Sequence, residues 1–216
     1  MEKIQFYSEK TRKFYQLFPT STIPTLKISG VPMHRFTNMD PLKDTLLKIK
    51  AAKPIGIVLD TCCGLGYTAI FAAKKPEVKK VYTFEKDENV IKIAKLNDAS
   101  KDLFENKKII LEIGDVTKKI RKFKDGFFDS VVHDPPTFKL APELYSENFY
   151  REIIRVLKAG GRLWHYCPNP QKLKYGERFR KKLERKLKKY FYVSFDEFSS
   201  GFVCRNSKKK NFHSLL

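Results

Sequence analysis

Acids stand where this chain turns. The stretch "SVVHDPPTFKL" (130–140) follows an apolar run with an acid, two prolines and then an aromatic. Consecutive prolines fix φ and remove two N–H donors, so no helix starts there and no central strand continues. Asp134, Pro135 and Pro136 thus form a rigid, carbonyl-rich hook at a strand end, suited to a ligand that donates hydrogen bonds. A second stretch, "VLDTCCGLGYTA" (58–69), reads strand, acid, tight turn, helix. Gly64 and Gly66 let backbone approach a ligand closely and turn into a helix whose first N–H groups face it. Gly64 to Ala69 satisfies the dinucleotide pattern G-x-G-x-x-A, and Glu85 lies about 20 residues on, where a ribose-binding acid belongs. Asp60 shifts the reading away from a pyrophosphate, because its charge before the glycines suits a cationic ligand such as a sulfonium or amine. Asp115 and Asp134 end two further strands. One such Asp is ordinarily a helix N-cap. Acids or glycine turns at the carboxyl ends of four successive strands mark the edge where doubly wound sheets bind ligands.

A parallel sheet must hold these residues, and the pattern from residue 55 predicts one. Strands are expected at 55–60, 79–87, 107–115, 127–134 and 162–167. Between them lie helical segments at 67–75, 88–99 and 116–123, and an amphipathic helix at 146–161 closed by Gly160-Gly161 as its C-cap. A basic helix over about 175–189 precedes "YFYVSF" and "GFVCR", which read as a closing hairpin. The fold class is α/β: a doubly wound, mostly parallel, seven-stranded Rossmann-like sheet with a small N-terminal extension. In that extension, residues 1–25 predict an extended arm or short helix, and 25–36 a hairpin turning near Ser29-Gly30. A helix then starts at Pro41 behind an Asp40 cap. Three regions follow: 1–50 packed on the core, a ligand-binding domain at 51–205, and a basic tail at 206–216.

The charge is lopsided, with 44 Lys+Arg against 24 Asp+Glu giving a net +20. A field of that size attracts polyanions, so nucleic acid is the expected partner, most readily RNA. A charged thermophilic surface is the alternative, in keeping with the three glutamines, although it would add acids along with bases. The basic helix keeps a narrow apolar stripe, Phe179, Leu183 and Leu187, and is otherwise almost all Lys and Arg. With Arg12, Lys13, Arg35 and the "SKKK" tail it predicts a phosphate-tracking surface. The charged opening "MEKIQFYSEK" has no apolar leader, and no run reaches the length of a membrane span, so no membrane is expected. Cys62, Cys63, Cys167 and Cys204 have no zinc-ligand spacing, so no metal is expected and a reducing, cytoplasmic compartment is.

Asp60–Gly66, Glu85, Asp115 and "DPP" together resemble the class I S-adenosylmethionine (SAM) methyltransferases, over about residues 55–205. The wider pattern resembles a group of archaeal methyltransferases without a settled substrate. It comprises "KISGVPMHRF", "MDPLKDT", "LDTCCGLGYTA", "HDPPTF", "ELYSENFYREIIRVLKAGGRLWHY" and "NP". The resemblance implies SAM as cofactor. Asp60, Cys62, Gly64 and Gly66 would hold its amino-acid end, Glu85 its ribose hydroxyls and Asp115 its adenine amino group. Lys86, Val116 and Asp134 would complete that set. Cys62 stands where the family's loop has its first glycine.

Similar acid–Pro-Pro–aromatic motifs occur in methyltransferases of nucleobase or amide nitrogen. A conjugated NH₂ is a poor nucleophile. Asp134 and the Pro135 carbonyl would accept its two protons, and the carboxylate would meet the charge developing on nitrogen. Phe138 would stack the target base. Here Thr137 takes the aromatic position and Phe138 follows, so "DPPTF" is also similar to ribosomal-RNA enzymes acting on ring atoms. The methylated atom stays open between exocyclic nitrogen, ring nitrogen and carbon. The expected function is therefore SAM-dependent methylation of a nucleobase nitrogen in structured RNA, tRNA or rRNA.

Four rivals stand beside it. A SAM enzyme for a small molecule or polyamine would have a lidded pocket. A cytosine-C5 enzyme would use Cys167 in "LWHYCPNP" as nucleophile. A nicotinamide-dependent oxidoreductase would use the glycine pattern, and a relic fold would bind RNA without turnover. Among the histidines, His133 reads as structural and His34 as able to reach the substrate. Either His165 or Tyr166 should face the pocket.

Overall fold

The apolar runs from residue 55 onward form the parallel strands of one twisted sheet in this computed structural model, which describes residues 3–36, 39–168 and 176–206. Those strands are β5 (Gly56–Asp60), β6 (Val78–Glu85), β7 (Ile109–Ile113), β8 (Phe128–His133) and β9 (Leu157–Tyr166). The antiparallel pair β10 (Phe191–Asp196) and β11 (Gly201–Asn206) completes seven strands. Their order is β10-β11-β9-β8-β5-β6-β7, and β11 runs antiparallel to β9. Connections reverse direction between β5 and β8, so the ligand crevice of a doubly wound sheet opens at the carboxyl ends of these two strands. Asp60 ends the first, and Asp134 follows the second directly.

Successive residues of a strand face opposite sides, which splits the core in two. Leu59, Val131 and Leu163 pack against α6 (Glu147–Val156) and α7 (Gly176–Lys188). Val58, Val132 and Trp164 pack against α1 (Pro41–Ala52), α2 (Tyr67–Ala73) and α3 (Glu88–Lys95). Two short helices, α4 (Lys101–Glu105) and α5 (Val116–Lys119), flank β7. The apolar stripe of α7 is as expected, with Leu183 and Leu187 buried and Phe179 partly so.

Residues before α1 form a four-stranded antiparallel meander: β1 (Gln5–Ser8), β2 (Lys13–Phe18), β3 (Thr25–Ile28) and β4 (Val31–Pro32). The expected 25–36 hairpin is present and turns at Ser29-Gly30. The expected arm or short helix at 1–25 is replaced by β1 and β2. Their side chains alternate by twos: Tyr15 is fully buried and stacks on Phe6 at 5.4 Å, while Phe14 and Gln16 point away. The Tyr15 hydroxyl bonds the Asp87 carboxylate, docking the meander onto the loop after β6.

Helix α1 starts as its sequence predicts, Asp40 accepting from the Lys43 N–H at 2.8 Å ahead of Pro41. Helix α6 ends at Val156, short of the expected 161. Phe128 pairs with Leu157 and Ser130 with Arg162, so Gly160-Gly161 sit in an irregular stretch of β9 and do not cap the helix. The "NP" at 169–170, residues 171–175 with Lys172 and Lys174, and the 207–216 tail with its "SKKK" lie outside the described residues. Among the described residues, no helix is long and apolar enough to cross a membrane.

Candidate active site

A cavity of about 220 Å³ opens at the crevice between β5 and β8. Cys62, Gly64 and Glu85 line one end, and Asp134, Pro135, Pro136, Thr137 and Tyr166 line the other. The hairpin β3–β4 and the residues after it roof the cavity with Leu26, Ile28, Val31, Met33 and His34. The sequence-predicted glycine turn, ribose-type acid and hook are therefore brought together.

Glu85 ends β6 beside the glycine turn. Its carboxylate accepts from the N–H of Gly64 and of Asp87, each at 2.9 Å. Burial pushes its pKa up, with those N–H bonds opposing. A Cβ placed on Gly64 would meet nothing within 4 Å, so the turn borders open space on the cavity side. Gly66 has φ +83°, and a Cβ there would press on Leu103 at 2.7 Å. That residue lets the chain enter α2 directly from the turn.

Several expected residues lie elsewhere. Asp60 is 1% exposed and does not line the cavity. Its oxygens accept from the hydroxyls of Thr83 at 2.6 Å and Thr68 at 3.2 Å, and burial raises its pKa to about 7. It braces the turn from behind. Asp115 caps α5 through the Thr117 N–H at 3.0 Å and pairs with Lys86 at 3.1 Å. Burial raises its pKa, but Thr117 and Lys86 more than offset that and hold it low. Val116 is core, and Lys86 reaches over the surface to Glu143 at 3.5 Å. Phe138 is 47% exposed and packs edge-on to Tyr145 at 5.7 Å, outside the cavity lining. Thr137, Leu140 and Tyr166 occupy the wall where a stacking Phe138 was expected.

The hook itself is fixed. The Pro136 carbonyl accepts from the Tyr145 hydroxyl at 2.9 Å. Behind it, His133 is fully buried, its Nδ1 at 2.7 Å from the Thr61 hydroxyl and its Nε2 at 3.1 Å from the Leu144 carbonyl. It is structural, as the sequence predicts. Tyr166 faces the cavity, while His165 points into the core, bonded to the Tyr150 hydroxyl at 2.9 Å, its pKa lowered by burial to about 4. His34 lines the roof over the Tyr67 ring at 5.2 Å. Cys167 is fully buried beside the α7 contact, and burial pushes its thiol up to about 12. It does not line the cavity, so the structure does not bring it to the hook.

The sequence reading missed Lys48. It is 3% exposed on α1, with Nζ 2.7 Å from Asp134 Oδ2 and 2.9 Å from Asp44 Oδ2. Asp44 in turn pairs with Arg35, which donates to the Ser200 hydroxyl at 2.7 Å and the Phe198 carbonyl at 3.0 Å. Burial pulls the Lys48 ammonium pKa down, but the two carboxylates more than offset it and hold it above its ordinary value. Burial likewise raises Asp134, with Lys48 opposing. A signal existed: Asp44 and Lys48, four apart, fall on the buried face of α1 with Pro41, Thr45, Ile49 and Ala52. Charges on an apolar stripe are seldom idle.

A glycine turn and an acid–proline hook at the switch point of such a sheet, with a half-buried acid ending the next strand, fit the Rossmann-like methyltransferase class of fold. Residues 53–216 match the family model described as "Methyltransferase domain". The chain belongs to that family.

It is 49% identical over 184 residues to an uncharacterized protein of Methanocaldococcus jannaschii, covering 84% of this chain and 62% of that protein. It is 32% identical over 134 residues to a polyamine aminopropyltransferase of Prochlorococcus marinus, covering 61% of this chain and 46% of that one. The chain thus spans less than two thirds of these relatives' length. The spermidine synthase of Thermotoga maritima shares the fold, with a TM-score of 0.71 at 20% identity over 97% of this chain and 74% of its own. A structure from Methanococcus maripaludis, named as a candidate SAM-dependent methyltransferase, matches at a TM-score of 0.54 and 19% identity, over 79% and 87% of the two chains. The family match sets aside the nicotinamide reading of the glycine pattern. The residues present suit SAM: the Gly64 turn opens on the cavity, and Glu85 faces it with a carboxylate that a ribose diol can approach.

Proposed function

We propose that the protein methylates a nitrogen of a small acceptor molecule, held at Asp134 beneath the hairpin β3–β4. One observation carries this reading: Glu85, Gly64 and Asp134 line a single cavity that the N-terminal sheet roofs with apolar side chains. A roofed pocket admits a small molecule and keeps water from the reacting atoms. The names of the aminopropyltransferase relatives and of the spermidine synthase, all small-molecule enzymes, point the same way.

SAM, when bound, supplies a methyl group on a sulfonium and leaves as the neutral thioether. The chain's own residues do the rest. Glu85 would accept the ribose hydroxyls, and the Gly64 turn would admit the cofactor's close approach. Asp134 would accept an N–H of the acceptor and turn the nitrogen lone pair towards the methyl carbon. The nitrogen would gain positive charge as it takes up the methyl group, and the Asp134 carboxylate would stabilise it. The N–H proton then leaves through Asp134 to solvent. Fixing the two partners in line supplies much of the remaining rate.

Methylation of RNA is the second reading, favoured by the position of α7. Its Phe179 lies 6.2 Å from Phe138 of the hook, and Arg178, Lys181, Lys182 and Arg185 point outward from the same helix. A strand tracked along those cations would pass the hook. Methyl-labelled SAM, incubated with the protein and with separate small-molecule and RNA extracts of its source, distinguishes the two. Label in the small-molecule fraction is expected. Label confined to RNA would overturn the first reading in favour of the second.

A further inference from the structure

We propose that Lys48 selects the acceptor by charge, holding Asp134 in a buried ion pair so that the site takes an uncharged nitrogen and refuses an alkylammonium. The acceptor class is then an amide, an aromatic amine or a ring nitrogen, and polyamines are excluded. This rests on the preceding reading, in which Asp134 receives the acceptor.

Four charges run in alternation from the roof to the hook: Arg35, Asp44, Lys48 and Asp134. Arg35, Lys48 and Asp134 line the cavity together with Glu85, and Asp44 lies fully buried behind them, so the lining holds two cations against two anions. A site built to hold a cationic amine needs an excess of acid, and this one has none. An ammonium brought to Asp134 would also lie beside the Lys48 ammonium, at a distance where like charges repel strongly in a buried setting.

Lys48 is not placed to move aside. It is 3% exposed, ion-paired with a carboxylate on each side, and its Nζ lies 5.2 Å from the centre of the Tyr166 ring. Asp44, its second partner, is fully buried and anchored through Arg35 to the turn between β10 and β11. The chemistry agrees with the electrostatics. A protonated amine has no lone pair for the methyl group and must first lose a proton. Lys48, bonded to Asp134, opposes the uptake of that proton. A neutral conjugated nitrogen keeps its lone pair, and before transfer Asp134 need only accept its hydrogen bond.

The test is calorimetric titration of the full chain, first with S-adenosylhomocysteine and then, with that bound, with putrescine. The wild type is expected to bind S-adenosylhomocysteine and to show no saturable putrescine binding. Lys48→Met removes the charge at similar volume, and Lys48→Gln removes it while keeping a donor for Asp134. Either is expected to gain putrescine affinity by at least about tenfold, and adding Asp134→Asn to abolish the gain. A mere packing role for Lys48 would not create binding of a new cation. Saturable wild-type putrescine binding overturns the proposal without any variant. Folded variants that gain nothing overturn it as well. Failure of the wild type to bind S-adenosylhomocysteine instead sinks the methyltransferase reading, and this proposal with it.

Discussion

At the scale of single residues, the proposed reading gives the acceptor to Asp134 and the cofactor to Glu85, and substitution should separate them. Asp134→Asn keeps the shape and removes the charge that meets the developing positive nitrogen. Methyl transfer is expected to fall by about 100-fold with S-adenosylhomocysteine affinity little changed, read as a labelled-methyl rate beside a binding titration. Glu85→Gln should do the reverse. Its carboxylate holds two backbone N–H groups, an arrangement an amide fulfils only in part. Affinity for the cofactor product is expected to drop by about tenfold, read in the same titration. Both residues were legible in the sequence because each is an acid at a strand end, next to a turn that no helix or strand explains. Asp60 carried the same signal, yet its role is different. Asp60 lies opposite Thr83 on the neighbouring strand, and the Thr83 hydroxyl takes its carboxylate. Strand register decides that, and no local pattern reports it. Phe138 was misplaced for a related reason: α7 and Tyr145 offer its ring an apolar wall outside the cavity.

At the scale of elements, the turn into α2 is the most demanding joint. Gly66→Ala must hold φ +83° and set a methyl group 2.7 Å from Leu103. A loss of roughly 2–3 kcal/mol is expected from the left-handed strain and the overpacking together, measured as a shift in urea midpoint at constant slope. Parallel strands were readable because burial on both faces leaves continuous apolar runs, as in "IGIVLD" and "DSVVHD". Helix α1 was readable from its cap. Strands β1 and β2 were not, because bases share their alternation with aromatics and the short turn between them carries no glycine. The end of α6 was misread because Gly160-Gly161 look like a C-cap, while Leu157 already pairs with Phe128. Whether a glycine pair ends a helix or bends a strand depends on the partner strand, which lies about 30 residues away.

At the scale of the whole molecule, buried titratable groups set opposing responses to acid. His165 is fully buried with its pKa lowered to about 4 by desolvation, and His133 lies well below its ordinary value for the same reason. Below pH 6.5 the unfolded chain binds protons that these rings refuse, so both destabilise the fold as pH falls; His165 alone contributes a loss of about 3 kcal/mol by pH 4. Asp60 acts in the opposite sense. Its folded pKa of about 7 exceeds the unfolded value of 3.8, so the fold binds the extra proton and gains stability as pH falls through that window. The gain is about 4 kcal/mol at most, similar in size to the loss from one histidine. Wild-type stability should therefore fall between pH 7 and pH 4.5, because His34, also lowered by burial to about 4, joins His133 and His165, and their losses together outweigh the single gain from Asp60. Asp60→Asn removes the acid's response and leaves the histidines', so its stability should fall more steeply still, by about 3 kcal/mol more over the same range. Urea midpoints of both proteins at three pH values in that window measure the difference. Parallel curves would mean that Asp60 is ionised in the folded protein, its two threonine hydroxyls outweighing burial, and its place behind the cofactor loop would then hold a fixed negative charge.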